Sequence, residues 1–282
     1  MKKLKFQGTG IESASELIDD GILDDHVSQM EVVEIIPECF FDGRRQSYLD
    51  LLAKHQVPVI GHGVEVSVGS TDFNQSHLDK TKKVLSQVNT VAFSDHLCFT
   101  RNGGINIGQL TTLPFNQEAL DTVCENIDRI QQQLPLPFLI ENITNRFIVP
   151  ECEFEETEFI NKVLDNTDCG LLLDVTNLYT NSVNHRFDPL QWLAEIAPQR
   201  IQGIHLAGGE WEDGYLYDAH NSKVPEDVWQ LYAKVLEVSQ PAVTIIEWDL
   251  DCPPWKVLAA EIQKAKTIQQ ETKNQGVAHV SR

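Results

Sequence analysis

Between Ile201 and His220 the chain reads IQGIHLAGGEWEDGYLYDAH: an apolar run that stops at His205, then Asp218 and His220 with one residue between them. Imidazoles and carboxylates gathered this way do metal coordination or general acid–base chemistry. The pattern recurs. Five other short apolar runs end in such groups: His62 in VIGHG, His96 in FSDH, Glu141 and Asn142 in FLIEN, Asp174 with Asn177 in LLLDVTN, and Glu247 in TIIEW. Singly, each is weak. A strand-end histidine is more often packed and hydrogen-bonded than metal-bound, and Asp or Asn there often caps the next helix. Six consecutive runs ending alike are harder to explain by capping.

The charges narrow the chemistry. Glu141, Asp174, Asp218 and Glu247 in one partly buried cup would repel one another and take up protons unless cations joined them. Four carboxylates with the imidazoles of His62, His96, His205 and His220 suit two or three divalent ions. Nitrogen and oxygen donors without thiolate favour iron, manganese or zinc over a structural cysteine–zinc site. Glu141, central in strand order, is the candidate bridge between ions.

The elements that must position these groups follow from periodicity. Apolar runs at residues 5–10, 31–36, 58–63, 90–96, 137–142, 170–175, 201–207 and 242–248 read as strands covered on both faces. Between them lie amphipathic stretches: 14–20 capped by Ser13, 43–54, 75–88 capped by Asn74, 117–134 capped by Asn116, 155–165, 189–196, 225–238 and 254–269. Pro189, Pro225 and Pro254 stand at helix starts, where a missing N–H costs nothing. Eight strand–helix units predict an α/β fold, a single (β/α)8 TIM barrel over residues 1–270, with its active site at the C-terminal ends of the strands. A doubly wound open sheet is the alternative, but the first run lacks a G-x-G-x-x-G turn. Residues 271–282 read as a polar, disordered tail.

Composition excludes several partners. A formal net charge of −20 repels phosphate backbones, and the densest basic cluster, Lys80 to Lys83, reads as a solvated helix face, so no nucleic acid is expected. No run is long enough to span a membrane, and MKKLK is followed by Gly8, Gly10 and Glu12 rather than a signal core, which predicts a cytoplasmic chain. The six cysteines form no C-x-x-C pair and read as reduced thiols.

His26, His55, His77, His185 and His279 read as surface residues, His185 least securely because it follows the sixth run. Glu34 and Glu38, at the end of the second run, either orient the histidines or cap local backbone. Trp211, Tyr215 and Tyr217 form a lid over the site or pack their own loop.

The stretches VEIIPECFF, GHGVEVSVGS, FSDHLCF, LPFNQEAL, LLLDVTNLYTNSVNHRFDP, IHLAGG, DAHNSKVPEDVWQLY and IIEWDLDCPPWKVLAAE resemble, in order over about residues 8–265, the multinuclear non-heme iron-dependent oxidative enzymes, relatives of the methanobactin biosynthesis iron oxidase. The resemblance implies a xylose-isomerase-like barrel holding two or three iron ions. It implies an O2-dependent oxidoreductase that modifies cysteine, or another residue, in a ribosomally made precursor peptide. Many such enzymes act with a separate protein that grips the peptide's leader. Carried onto this chain, the iron ligands fall on His62, His96, Glu141, Asp174, His205, Asp218, His220 and Glu247, with Asn177 a weaker candidate. His205, Glu141 and Asp174 are the expected catalytic centre. Departures stand at Gly209, Cys39, Asp95 and Thr176, where the family usually has His, Asn, Glu and Asn.

Metal-dependent sugar isomerases and phosphodiester hydrolases use the same kind of cup. An isomerase would usually bring a strand-end lysine, and a DNA-directed hydrolase a basic rim; the sequence offers neither. A metal-storage or scaffold protein is the non-enzymatic alternative.

Overall fold

A computed structural model describes residues 2–147, 149–150 and 152–280, with side chains as far as residue 274. Eight parallel strands close a barrel in sequential order. They are β1 (Gly8–Glu12), β2 (Val33–Ile35), β3 (Pro58–Gly63), β4 (Asn89–His96), β5 (Phe138–Glu141), β6 (Gly170–Asp174), β7 (Ile201–Leu206) and β8 (Val243–Ile246). The register sets the chemistry: His62 pairs with Ser94, His96 with Glu141, and Asp174 with His205. Residues level with one another on neighbouring parallel strands carry their side chains to one end of the barrel.

The helices are α1 (Ser15–Asp19), α2 (Gln46–His55), α3 (Gln75–Leu85), α4 (Gln117–Gln133), α5 (Glu156–Asn166), α6 (Val175–His185), α7 (Pro189–Glu195), α8 (Glu226–Val238) and α9 (Trp255–Val280). In α4 the buried residues Ala119, Leu120, Val123, Ile127 and Ile130 recur at three- and four-residue spacing, which makes one apolar stripe. Burying each large aliphatic side chain contributes about 1.5–3 kcal/mol. Asn74 and Asn116 cap α3 and α4 by accepting from His77 N and Ala119 N. At the far end of the barrel Val32, Ile60, Ala92, Val243 and Ile245 form a separate apolar cluster against Leu4 and Phe6.

That plug explains one correction. The first strand is Gly8–Glu12, not residues 5–10, because Leu4 and Phe6 close the barrel's bottom instead of pairing within it. Ser13 does not cap α1: its hydroxyl bonds Tyr48 Oη at 2.8 Å. The sixth run leads straight into α6, a helix absent from the stretches predicted by periodicity, and it carries both Asn177 and His185. Two antiparallel hairpins stand beyond the strand ends, pairing Phe99–Asn102 with Ile105–Thr111 and Glu210–Glu212 with Tyr215–Tyr217. The last helix continues to Val280, through most of the stretch read as a disordered tail.

Three histidines read as surface residues have structural work. His77 is buried and its Nε2 lies 2.7 Å from Glu38 Oε1. His26 stacks on Trp255 at 4.5 Å, and His185 Nε2 donates to Asn145 O at 2.5 Å. His55 is exposed; the side chain of His279 lies outside the described residues. Among the described residues no helix is long and apolar enough to cross a membrane.

Candidate metal centre

The wall formed by β3 and β4 carries His62 and His96. Ser94 Oγ lies 3.3 Å from Gly61 O, to which it donates, and accepts from His62 Nδ1 at 2.9 Å. His96 Nδ1 donates to Gly63 O at 3.1 Å. A carbonyl only accepts, so each neutral ring spends its proton on Nδ1 and keeps a lone pair on Nε2. Those two lone pairs face each other at 3.3 Å, with Glu141 Oε2 3.2 Å from one and 3.5 Å from the other. Three acceptors meet with no proton among them. Such a meeting could hold a cation.

The floor comes from β5 to β8. His205 is fully buried; its Nδ1 lies 3.2 Å from Glu141 Oε1 and 2.9 Å from Glu247 Oε1, and its Nε2 2.8 Å from Glu34 Oε1. Asp174 ends β6 and caps α6, accepting from Asn177 N at 2.8 Å through Oδ1. Its Oδ2 is buried without a partner, as are Glu141 Oε2, Glu247 Oε2, Asn177 Oδ1 and both ring nitrogens of His205. Each buried acceptor left without a partner costs about 1–3 kcal/mol, and His205 has only its poorly aligned contacts with Glu34, Glu141 and Glu247; a shared cation would relieve both. Ligand atoms of His62, Glu141 and His205 lie within 4.8 Å of one another, as do those of Glu141, Asp174, His205 and Glu247. Glu141 and His205 belong to both groups.

The third region is a loop. The chain leaves β7 through Gly208 and Gly209, where a Cβ would come within 2.1 Å of Ser222 O and 2.7 Å of Tyr217 O. No histidine fits at 209 while the hairpin returns this closely. The loop delivers Asp218 and His220. His220 Nδ1 donates to Asp249 Oδ2 at 2.9 Å, and its Nε2 lies 2.8 Å from Asp218 Oδ1 without hydrogen-bond alignment.

The electrostatics agree. Burial pushes Asp174 well above the usual carboxylate range, and Glu247, Asp218 and Glu141 push the same way. Burial lifts Glu34 to about 7 against the pull of His205. Burial disfavours a proton on His205, yet Glu247, Glu34 and Glu141 outweigh it and raise its pKa well above that of free imidazole. His62 is lowered by burial and by the neighbouring imidazoles of His96 and His205. A field that holds extra protons in a dry cup also attracts divalent cations, which displace them.

Above the floor opens a cavity of about 680 Å³. Of the nine candidate ligands, His62, His96, Glu141, Asn177, Asp218, His220 and Glu247 line it, while Asp174 and His205 are fully buried and share a donor group with Glu141 and Glu247. Four further groups belong here. Glu12 is buried and lies with Glu34 and Glu247 in a third cluster; its place depends on where β1 ends, which Leu4 and Phe6 obscured in the sequence. Asp249, two residues past Glu247, orients His220. Asp95 accepts from Val66 N at 3.1 Å and His96 N at 2.7 Å, fixing the turns beside both wall histidines. Glu38 accepts from Val64 N and Glu65 N as well as bonding His77, so it holds the loop after His62. Trp211 is 60% exposed and does not line the cavity.

Comparison with known proteins places this geometry. A family model described as RiPP precursor modification enzyme MbnB/TglH/ChrH matches residues 8–270. A UPF0276 protein of Acaryochloris marina is 35% identical over 243 residues, covering 86% of this chain and 88% of its own. A UPF0276 protein of Anaeromyxobacter sp. is 38% identical over 240 residues, 84% of each chain. Among solved structures, a D-allulose 3-epimerase from Methylomonas sp. superposes with a TM-score of 0.60 at 12% identity, over 97% of this chain and 99% of that one. The xylose isomerase-like TIM barrel/4-hydroxyphenylpyruvate dioxygenase fusion protein superposes with a TM-score of 0.60 at 11% identity, over 96% of this chain and 44% of that one. At such identities the two likenesses show the barrel fold alone.

Proposed function

The chain belongs to the family of RiPP precursor modification enzymes MbnB/TglH/ChrH, and from that premise we propose that it is a multinuclear non-heme iron oxidase that uses O2 to modify a cysteine, or another residue, of a precursor peptide. The proposed ligands are His62, His96, Glu141, Asp174, His205, Asp218, His220 and Glu247, with Asn177 in reserve. One observation carries the reading: imidazole nitrogens and carboxylate oxygens lie 2.8–3.5 Å apart around Glu141, His205 and His220, several buried and lacking hydrogen-bond partners. Two or three ions fit the two overlapping donor groups and the loop pair. Iron bound there would supply thiol ionisation and electron transfer to O2.

The protein's own residues do the rest. Ser94 and Gly63 fix the tautomers of His62 and His96, Glu34 sits beside His205, and Asp249 turns His220. Such outer partners raise ligand basicity and fix ring orientation. The buried floor keeps bulk water from the reacting residue, while the open cavity admits a peptide segment. A separate leader-binding protein and a cytoplasmic setting belong to the proposal; the six free thiols suit a reducing compartment. The likeness to the sugar epimerases is one of fold, and among the described residues no lysine lines the cavity for carbonyl chemistry.

The test is metal analysis of protein purified without oxygen, followed by addition of a cysteine-bearing peptide. Two or three irons per chain and a new visible absorption band on peptide addition are expected. Protein without transition metal, or undiminished peptide modification by iron-reconstituted His205→Ala, rejects the reading.

A further inference from the structure

The cavity wall is acidic, with Glu12, Glu65, Glu141, Asp218, Glu247 and Asp249 all contributing. Among the described residues lining it, Arg146 is the one Lys or Arg. It is exposed, and no carboxylate of the described residues pairs with it; its guanidinium lies 5.6 Å from the centre of the Tyr217 ring. An arginine among acids that pairs with none of them, but rests on an aromatic face, keeps its planar donor fork available.

Its neighbours hold this arrangement in place. Asn145, immediately before it, is fixed through its backbone: N donates to Asn181 Oδ1 at 2.8 Å, and O accepts from His185 Nε2 at 2.5 Å and Tyr215 Oη at 3.4 Å. The Tyr217 hairpin is tied to the same helix, since Asn184 exchanges two hydrogen bonds with Leu216, at 2.8 and 3.0 Å. Asn181, Asn184 and His185 of α6 thus anchor both segments that bring Arg146 and Tyr217 together. Phe147, Leu110 and Leu250, 57%, 41% and 58% exposed, give the same mouth an apolar rim.

We propose that Arg146, backed by Tyr217, is a carboxylate-binding subsite for the substrate peptide: it takes an anionic group next to the modified residue and sets which residue enters the cup. The proposal rests on the reading of the cavity as a peptide-modifying site. The carboxylate is either the peptide's C-terminus or an acidic side chain beside the target. In both cases the guanidinium supplies two parallel N–H donors, and without it the acidic wall repels the group.

The experiment measures binding calorimetrically under nitrogen to iron(II)-loaded wild type, Arg146→Ala and Arg146→Lys. The probes are acetyl-Gly-Cys as the free acid, its C-terminal amide, acetyl-Cys-Asp-amide, and the serine counterpart of each. Wild type is expected to prefer a carboxylate peptide over the plain amide by about tenfold, the size of one charge-assisted pair. The preference should vanish in Arg146→Ala and be partly kept in Arg146→Lys. A gain by the free acid identifies the chain terminus; a gain confined to acetyl-Cys-Asp-amide identifies a side chain. Equal binding of all three by wild type, a preference surviving in Arg146→Ala, or no binding by any probe overturns the proposal. The cysteine–serine contrast reads metal–thiolate contact separately, so its loss with the carboxylate preference intact counts against the oxidase reading and not this one.

Discussion

His62 and His220 are alike in chemistry and unlike in support. Each gives Nδ1 to a protein acceptor and turns Nε2 toward a carboxylate. His62 stands on a barrel strand, its partner Ser94 level with it in the sheet register. His220 stands in a loop with φ of 48°, a left-handed conformation that costs a non-glycine residue about 1–3 kcal/mol. It is held there by Asp249, whose N donates to His220 O at 2.8 Å and whose carboxylate accepts from the ring. Strand-borne donors are set by the sheet before any ion arrives. Loop-borne donors depend on one another, and an ion bound there would fix them further.

The sharpest way to break this contrast is Glu141→Ala, which removes the carboxylate shared by the wall and floor groups. The affinity of the wall and floor groups for iron, and activity, should fall by more than about 100-fold, beyond the 10–100-fold range of an orienting residue; an activity assay with metal titration checks both.

Next in size is the response of chelated protein to pH. Glu34 stands at about 7 against an ordinary 4.5, raised by burial. A raised carboxyl contributes stability that is complete below pH 4.5 and is lost as pH climbs through 7. The loss is about 3 kcal/mol at roughly 1.4 kcal/mol per pH unit. Glu247 is shifted the opposite way, so its contribution changes only below this window. Thermal melts of metal-free protein from pH 5 to 8 should show falling Tm, iron-loaded protein should not, and Glu34→Gln should make the metal-free fall shallower, leaving the part that the raised Asp174 and His205 contribute with the same sign.

Asp249→Asn aims at the loop alone. It should weaken one cation by about 10–100-fold while wall and floor ions stay bound, read as partial loss of iron on graded chelation. The smallest effect belongs to Trp211→Ala. That side chain is 60% exposed and should change stability by less than about 0.5 kcal/mol; a shift of several degrees in Tm would mean that its hairpin braces the loop.

The same contrast governs what the sequence revealed. The runs ending at His62, His96, Glu141, Asp174, His205 and Glu247 were readable because parallel strands buried on both faces are continuously apolar and stop at the site. Glu12 was hidden because Leu4 and Phe6 look like strand residues yet plug the barrel's other end. Asn181, Asn184 and His185 gave no signal of their own, since their partners are backbone atoms of segments at least 30 residues distant in sequence. Glu34 left two readings open, and its 2.8 Å approach to His205 favours an orienting role over local capping.

Asp174 joins these threads. One of its oxygens starts α6 and the other faces the floor of the cup. The amide proton of Asn177 is therefore a reporter: its exchange with solvent should slow when the cup fills and quicken when it empties. Because α6 also anchors the segments carrying Arg146 and Tyr217, filling the cup would tighten its own doorway.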